Sequence, residues 1–75
     1  MVELVEFIAK SIVDYPSEVE VKEVEKGKTT KLELSVADDD MGKVIGKRGR
    51  IAKAIRTVVN AAAAKEGTNI KVDIK

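Results

Sequence analysis

The sequence lacks two of the residue types that carry most enzyme chemistry, since its 75 residues include no Cys and no His. Without Cys there is no disulfide framework and no thiolate metal site, which is typical of a reducing, intracellular setting. Without His, imidazole acid–base catalysis and imidazole metal ligation are excluded. We therefore expect neither an enzyme nor a cofactor or metal site.

Aromatic residues are almost absent too. Phe7 and Tyr15 are the only ones, and there is no Trp. We expect Phe7 to anchor the hydrophobic core. Aromatic platforms, on which many single-strand binders stack bases, are unavailable in the basic segment described below.

Long apolar runs are missing as well, and none approaches the roughly 20 residues of a membrane-spanning helix. The amino end carries Glu3 and Glu6 where a secretory signal has basic residues, so we expect no signal peptide. These features predict a cytoplasmic protein without a membrane partner. A length of 75 residues predicts a single domain over residues 1–75.

Charge is distributed unevenly along the chain. Residues 1–40 hold five Lys and eleven Asp or Glu, whereas residues 41–75 hold nine Lys or Arg and two acids. The net charge of +1 therefore hides an acidic half and a basic half. Such a division suggests one surface suited to an anion, the alternative being that the charges only solvate a small protein.

Hydrophobic periodicity predicts six elements in the order α-β-β-α-α-β. The predicted elements are a helix from about Val2 to Asp14, strands from Glu18 to about Glu25 and from Thr29 to Ala37, a short helix that starts near Met41 and stops at Gly46, a helix from about Arg50 to Lys65 and a strand over 70–75.

Side-chain patterns add detail to these elements. The residues expected to face the core are Leu4, Val5, Ile8 and Ile12 of the first helix, Thr30, Leu32, Leu34 and Val36 of the second strand, and Ile51, Ile55, Val58, Val59 and Ala62 of the long helix. Val24 interrupts the alternation of the first strand and suggests a bulge or an early end. Gly27 is predicted to supply a positive φ in a hairpin turn, and Gly67 to cap the long helix.

Three consecutive acids, Asp38 to Asp40, precede the short helix. A metal site is a poor interpretation, because consecutive side chains do not converge on one ion. We expect Asp38 or Asp39 to cap the helix, where acids also favour the positive end of its dipole.

The most informative segment is Gly46-Lys47-Arg48-Gly49, which lies between two predicted helices. Glycines permit unusual backbone angles and let a ligand approach the backbone closely, while a helix amino terminus attracts anions. The spacing does not match a nucleotide P-loop, because Gly42 and Gly46 are one residue too close and Arg48 replaces the metal-binding hydroxyl. A dinucleotide fingerprint also fits poorly, since a helix and not a strand precedes the turn. A phosphate chain is the ligand that such a turn favours.

The stretch from Val44 to Arg56, V-I-G-K-R-G-R-I-A-K-A-I-R, resembles a KH domain of the bacterial type II topology. The similarity extends over essentially all 75 residues and is greatest to the small stand-alone KH-domain proteins of bacteria. The resemblance implies an α+β fold with a three-stranded mixed sheet and helices packed on one face.

The resemblance also implies single-stranded RNA binding, with the G-x-x-G loop clamping about four nucleotides of backbone. The residues that would then bind RNA are the clamp Gly46, Lys47, Arg48 and Gly49, the flanking apolar Val44, Ile45 and Ile51, and the basic Lys43, Arg50 and Lys53, with Arg56 as a further phosphate contact. The opposite wall of the groove would lie near Leu34 and Val36. Each apolar member could equally belong to the core, and each basic one could be only a solvated charge.

Partners follow from the same resemblance. It implies a homodimer, a heterodimer with a larger KH-domain protein of the KhpB/Jag type, or both, and an RNA chaperone role in cell-wall homeostasis and cell length. The small residues Ala61 to Ala64 would allow another backbone to approach, although alanine is also simply a good helix former. The alternative hypothesis is a protein-interaction subunit whose RNA binding depends on its partner.

Overall fold

The computed structural model describes residues 1–75 and contains three α-helices and three β-strands in the predicted order. The helices are α1 (Val2–Ile12), α2 (Met41–Ile45) and α3 (Arg50–Glu66), and the strands are β1 (Glu20–Lys26), β2 (Thr29–Ser35) and β3 (Asn69–Ile74). Short 3₁₀ turns occupy Pro16–Glu18, Asp38–Asp40 and Lys47–Gly49. None of the helices is long and apolar enough to cross a membrane.

The strands form one mixed sheet in the order β1-β2-β3. β1 and β2 are antiparallel and joined by a tight turn in which Gly27 has a φ of 59°. β3 pairs in parallel with β2, so that Thr30 lies opposite Ile70 and Leu32 opposite Val72. The parallel pairing requires a crossover, which the α2–α3 segment supplies on one face of the sheet.

The hydrophobic core fills the space between α1, α3 and the inner face of the sheet. Its buried members are Val5 and Ala9 of α1, Val19 just before β1, Leu32 and Leu34 of β2, Ile55, Val59 and Ala63 of α3, and Ile70 and Val72 of β3. The outer face of the sheet is charged: Lys31 contacts Asp73 and Glu33, and Lys75 contacts Glu33 at 3.2 Å. The hydrogen bond from Lys75 lowers the pKa of the Glu33 carboxyl.

Three predictions about the first half of the chain are wrong. Ile12, expected to face the core, is 38% exposed. Phe7 is not a core anchor, because 71% of its surface is exposed; Val5 and Ala9 supply the buried side of α1 instead. β1 contains no bulge at Val24, which pairs in regular register with Lys31. Because β1 is an edge strand, its alternation can lapse without breaking the ladder.

The buried face of α3 is rotated from the predicted one. Ile55 and Val59 are buried as expected, but Ala52 and Ala63 complete the buried stripe. Ile51 and Val58 are 39% and 46% exposed. Alanines on the buried side let the helix backbone approach the sheet closely, and the larger side chains are therefore turned outward.

Candidate nucleic-acid interface

The loop between α2 and α3 has an unusual backbone. Gly46, which ends α2, has φ 77° and ψ 172°; Arg48 has φ 58°, and Gly49 has φ 72°. Three of the four loop residues therefore have positive φ values. Arg48 is the only non-glycine residue of the chain with a positive φ. A side chain at positive φ costs about 1 kcal/mol or more, so Arg48 is held in a strained conformation at the tip of the loop.

Gly46 is required for a second reason, its contact with Ile51. A Cβ atom at position 46 would lie 3.0 Å from the backbone nitrogen of Ile51 and closer still to its Cγ1. At Gly49 the corresponding position is open, with no atom within 4 Å. The first glycine thus allows Ile51 to pack against the loop, whereas the second supplies only a backbone angle.

Positive charge is concentrated around this loop without compensation. Lys47, Arg48, Arg50 and Lys53 are all exposed and form no salt bridge. The amino terminus of α3, which begins at Arg50, adds the partial positive charge of its backbone N–H groups. The arrangement presents exposed cations and a helix amino terminus on one side of the molecule, which suits a polyanion.

Lys43 differs from the other basic residues, because its ammonium donates a hydrogen bond to the carboxylate of Asp14. This hydrogen bond raises the pKa of Lys43. A phosphate would therefore have to compete with Asp14 for Lys43, whereas Lys47 and Arg48 have no such competitor.

The apolar residues predicted to flank the loop are placed in two different environments. Val44 is fully buried, so it supports the loop from below and is not open to a ligand. Ile45 and Ile51 are 37% and 39% exposed on either side of the turn.

A groove with polar edges runs along α3 beside β3. Arg56 and Asn60 of α3 line it together with Ile70, Lys71 and Val72 of β3. Arg56 Nε donates a hydrogen bond to the carbonyl oxygen of Val72 at 3.2 Å, which ties the helix to the strand. Leu34 and Val36 of the second strand segment, expected near the opposite wall of the RNA groove, are fully buried and partly buried.

Asp40 is a residue whose role the sequence did not reveal. It is fully buried, and its two carboxylate oxygens each accept a hydrogen bond, at 3.0 Å, from the backbone N–H groups of Asp14 and Tyr15. It therefore joins the end of α1 to the start of α2. No side chain of the Asp38–Asp40 run caps α2, contrary to expectation.

A helix–GxxG–helix unit packed on this three-stranded mixed sheet defines the type II KH fold. Residues 2–74 match the family model described as KhpA/KhpB, KH domain. The proteins named RNA-binding protein KhpA from Clostridium acetobutylicum and Clostridium perfringens are 61% and 62% identical to this chain, over 99% of each sequence. The chain belongs to the KhpA/KhpB KH-domain family.

Solved structures carry the same fold inside a larger protein. Era from Aquifex aeolicus superposes on 97% of this chain with a TM-score of 0.64 at 22% sequence identity. The match covers only 28% of the Era chain. A second Era structure, a complex with a guanine nucleotide and nucleotides 1506–1542 of 16S ribosomal RNA, gives a TM-score of 0.65.

Proposed function

We propose that this protein binds single-stranded RNA, with Gly46–Gly49 clamping the phosphate backbone. The observation that carries the proposal is the coincidence, at one loop, of positive-φ backbone with exposed cations that have no acidic partner. Relatives named RNA-binding proteins at up to 62% identity support it. The Era structure gives weaker support: Era contains a domain with the same fold, and its structure was determined in a complex with RNA.

Each residue of the interface has a proposed role. Lys47, Arg48, Arg50 and Lys53 contact phosphates, and Ile45 and Ile51 border the bases next to the clamp. The groove between α3 and β3 receives bases, since Arg56 and Asn60 offer hydrogen-bond donors beside exposed strand edges. Val44, which is buried, stabilises the loop without contacting RNA. Lys43 contacts a phosphate after its hydrogen bond to Asp14 is broken.

The cellular role is also part of the proposal. We propose an RNA chaperone of the cytoplasm that acts without catalysis, as a homodimer or with a KhpB/Jag-like protein, in cell-wall homeostasis and cell-length regulation. One family model describes the KH domains of both KhpA and KhpB, which supports a related partner domain. The absence of His and Cys leaves few groups for catalysis.

The test is a fluorescence-anisotropy titration of a short single-stranded RNA with wild type and Lys47→Asp/Arg48→Asp. Lys26→Asp/Lys28→Asp is the matched control, since it reverses two charges at the β1–β2 turn, away from the loop. We expect the loop variant to lose binding and the control to retain it. In the wild type, the two phosphate contacts of Lys47 and Arg48 should contribute about 1.4 to the slope of log K against log salt. Equal affinities of the two folded variants would refute the clamp.

A second candidate function is favoured by an uncovered apolar surface between α1 and α3. A protein-interaction subunit would use that surface and would bind RNA only in a complex. Wild type that fails to bind RNA alone, but binds after a KhpB-like protein is added, would establish this alternative.

A further inference from the structure

Tyr15 is an exposed aromatic residue at the junction between the end of α1 and the start of α2. Both polar groups of its backbone are held: the N–H donates to the buried carboxylate of Asp40 at 3.0 Å, and the carbonyl oxygen accepts from the N–H of Glu18 at 3.0 Å. Pro16 follows and restricts the chain further. Tyr15 is nevertheless 48% exposed, and its hydroxyl forms no hydrogen bond within the chain. A fixed backbone therefore presents an aromatic ring to solvent.

The same junction brings this ring close to a basic residue of α2. Helical side chains tilt toward the amino end of their helix, and Lys43 accordingly reaches back to the carboxylate of Asp14, the neighbour of Tyr15. The hydrogen bond to Asp14 raises the pKa of Lys43, and the proximity of Asp40 and Tyr15 raises it further. Tyr15 and Lys43 are far apart in the sequence, but the fold places them together. We call Asp14, Tyr15 and Lys43 the junction site.

An aromatic ring beside an ammonium group is a combination that fits a nucleotide. Nucleobases stack on aromatic side chains with little dependence on sequence, because every base has a π face. The ammonium group can bind the phosphate that accompanies the base. Neither group alone identifies a ligand, since single exposed aromatic and basic side chains are common. Their juxtaposition next to the RNA-binding loop is what indicates one.

The junction site lies within reach of a strand held at the loop. The distance from Asp40 to Gly46 along α2 is about 9 Å, at about 1.5 Å per residue. A stacked strand advances about 3.4 Å per nucleotide, so about three nucleotides beyond the loop span this distance. We infer that the junction site is a further RNA subsite, in which a base stacks on Tyr15 and a phosphate binds Lys43. The inference rests on the proposed function, because it extends the strand that the Gly46–Gly49 loop holds.

Asp14 limits how strongly the junction site binds a phosphate. Its carboxylate holds Lys43 in the unbound protein and repels an approaching phosphate. The side chains of Lys43 and Asp14 are 43% and 66% exposed, and an ion pair this accessible to water is weak enough for a phosphate to displace. A neutral side chain at position 14 would release Lys43 and remove the repulsion.

The first experiment compares two RNA oligonucleotides, tetraadenylate and octaadenylate, by fluorescence anisotropy. A KH domain holds about four nucleotides, so tetraadenylate occupies only the loop and its groove, whereas octaadenylate also reaches the junction site. We expect Tyr15→Leu to bind octaadenylate at least about fivefold more weakly than wild type, and tetraadenylate equally well. Tyr15→Phe keeps the ring, and Phe7→Leu removes the other exposed aromatic residue; both should bind the two oligonucleotides like wild type.

The oligonucleotide lengths separate a lost contact from a damaged loop. Urea unfolding verifies that each variant is folded. Equal binding of octaadenylate by Tyr15→Leu and Phe7→Leu would overturn the inference. An equal loss for tetraadenylate and octaadenylate would also refute it, because Tyr15 would then act on the loop itself. Wild type that binds neither oligonucleotide would refute the proposed function, and the junction site with it.

Nuclear magnetic resonance observes the stacking directly, because Tyr15 and Phe7 are the only aromatic residues of the chain. The ring current of a stacked base moves the resonances of the protons beneath it upfield. We expect octaadenylate to shift the ring resonances of Tyr15 upfield and to leave those of Phe7 in place, and tetraadenylate to move neither. Tyr15 resonances that stay unchanged at saturation with octaadenylate would rule out the subsite while the loop remains an RNA-binding site.

Asp14→Asn tests the competition for Lys43, with Asp39→Asn as the matched control. Each substitution removes one negative charge from an exposed residue near the junction, but Asp39 forms no salt bridge. We expect Asp14→Asn to bind octaadenylate about two- to fivefold more tightly than Asp39→Asn, the range of an exposed ion pair. Lys43→Gln in both chains should remove this difference. Equal affinities of Asp14→Asn and Asp39→Asn, or a difference that persists without Lys43, would contradict the assignment of a phosphate to Lys43.

Discussion

Replacement of Gly46 by alanine is the sharpest test of the loop geometry. The residue has φ 77° and ψ 172°, a region that is essentially restricted to glycine. Its Cβ would also lie 3.0 Å from both the backbone nitrogen and the Cβ of Ile51. Two separate costs therefore act at this position, one from the backbone and one from packing.

The magnitude follows from adding these two costs. A residue in a sparsely populated backbone region costs about 1–3 kcal/mol, and overpacking costs about 1–3 kcal/mol more. Gly49→Ala incurs only the first kind, about 1–2 kcal/mol, because nothing lies within 4 Å of its Cβ position. A domain of 75 residues has a total stability of about 4–11 kcal/mol, so Gly46→Ala should be severely destabilising.

The assay is urea unfolding followed by circular dichroism, since the chain has no Trp. Gly27→Ala is the control, because it has a φ of 59° and an open Cβ position at the hairpin turn. We expect Gly46→Ala to lose at least about 1 kcal/mol more than either Gly49→Ala or Gly27→Ala. In an Ile51→Ala background this excess should shrink, because the Cγ1 contact is removed while the contacts with the Cβ and the backbone nitrogen of residue 51 remain. Equal losses at the three glycines, or an excess that is undiminished without Cγ1 of Ile51, would refute the reasoning.

Three further perturbations test other parts of the structure. Asp40→Asn places an amide donor against two backbone N–H groups in a buried site and should cost about 1–3 kcal/mol, measured by the same unfolding assay; a loss below about 0.5 kcal/mol would contradict the role given to Asp40. Phe7→Ala should change stability by less than about 0.5 kcal/mol at concentrations where the chain is monomeric, whereas Leu32→Ala should cost about 2–5 kcal/mol. Because the pKa of Glu33 is lowered by Lys75, its stabilisation is present above the carboxyl's ordinary pKa and is lost as the pH falls through the lowered value. Glu33→Gln should therefore flatten the dependence of the unfolding midpoint on pH in acid, and an unchanged profile would show that the pair contributes nothing.

Much of the fold could be predicted because several elements have strict periodicity or a glycine at the position where the backbone requires a positive φ. Leu32 and Leu34 alternate with charged residues, and the structure buries both. The turn glycine of the hairpin, Gly27, and the helix-capping Gly67 both have the positive φ expected of them. These signals depend on local backbone sterics, which a sequence expresses directly.

The errors arose where packing distance, and not hydrophobicity, decides which side chain is buried. Hydrophobicity alone favoured Ile51 and Val58 on the inner face of α3, but Ala52 and Ala63 occupy it. Likewise Phe7 is turned outward, although it is the largest apolar residue of α1. Close approach of a helix to a sheet selects small residues, and a sequence does not specify that distance.

Asp40 escaped prediction for a different reason. Its partners are backbone N–H groups 25 and 26 positions away in the chain, so no local pattern distinguishes it from its acidic neighbours. Only the tertiary arrangement, in which the end of α1 meets the start of α2, shows which of three consecutive acids is buried. Long-range capping of this kind has no signature in sequence spacing.

α3 has more apolar surface than its own sheet can cover, and this excess requires an explanation. A helix on one face of a small sheet needs one buried stripe, which Ala52, Ile55, Val59 and Ala63 provide. Arg56 and Asn60 occupy a second side, next to β3, where the groove is polar. Ile51 and Val58 remain on a third side, where they line an apolar groove with α1 and are 39% and 46% exposed. Ile51 has a further contact, with Gly46, so that one residue of this third side also holds the turn of the loop in place.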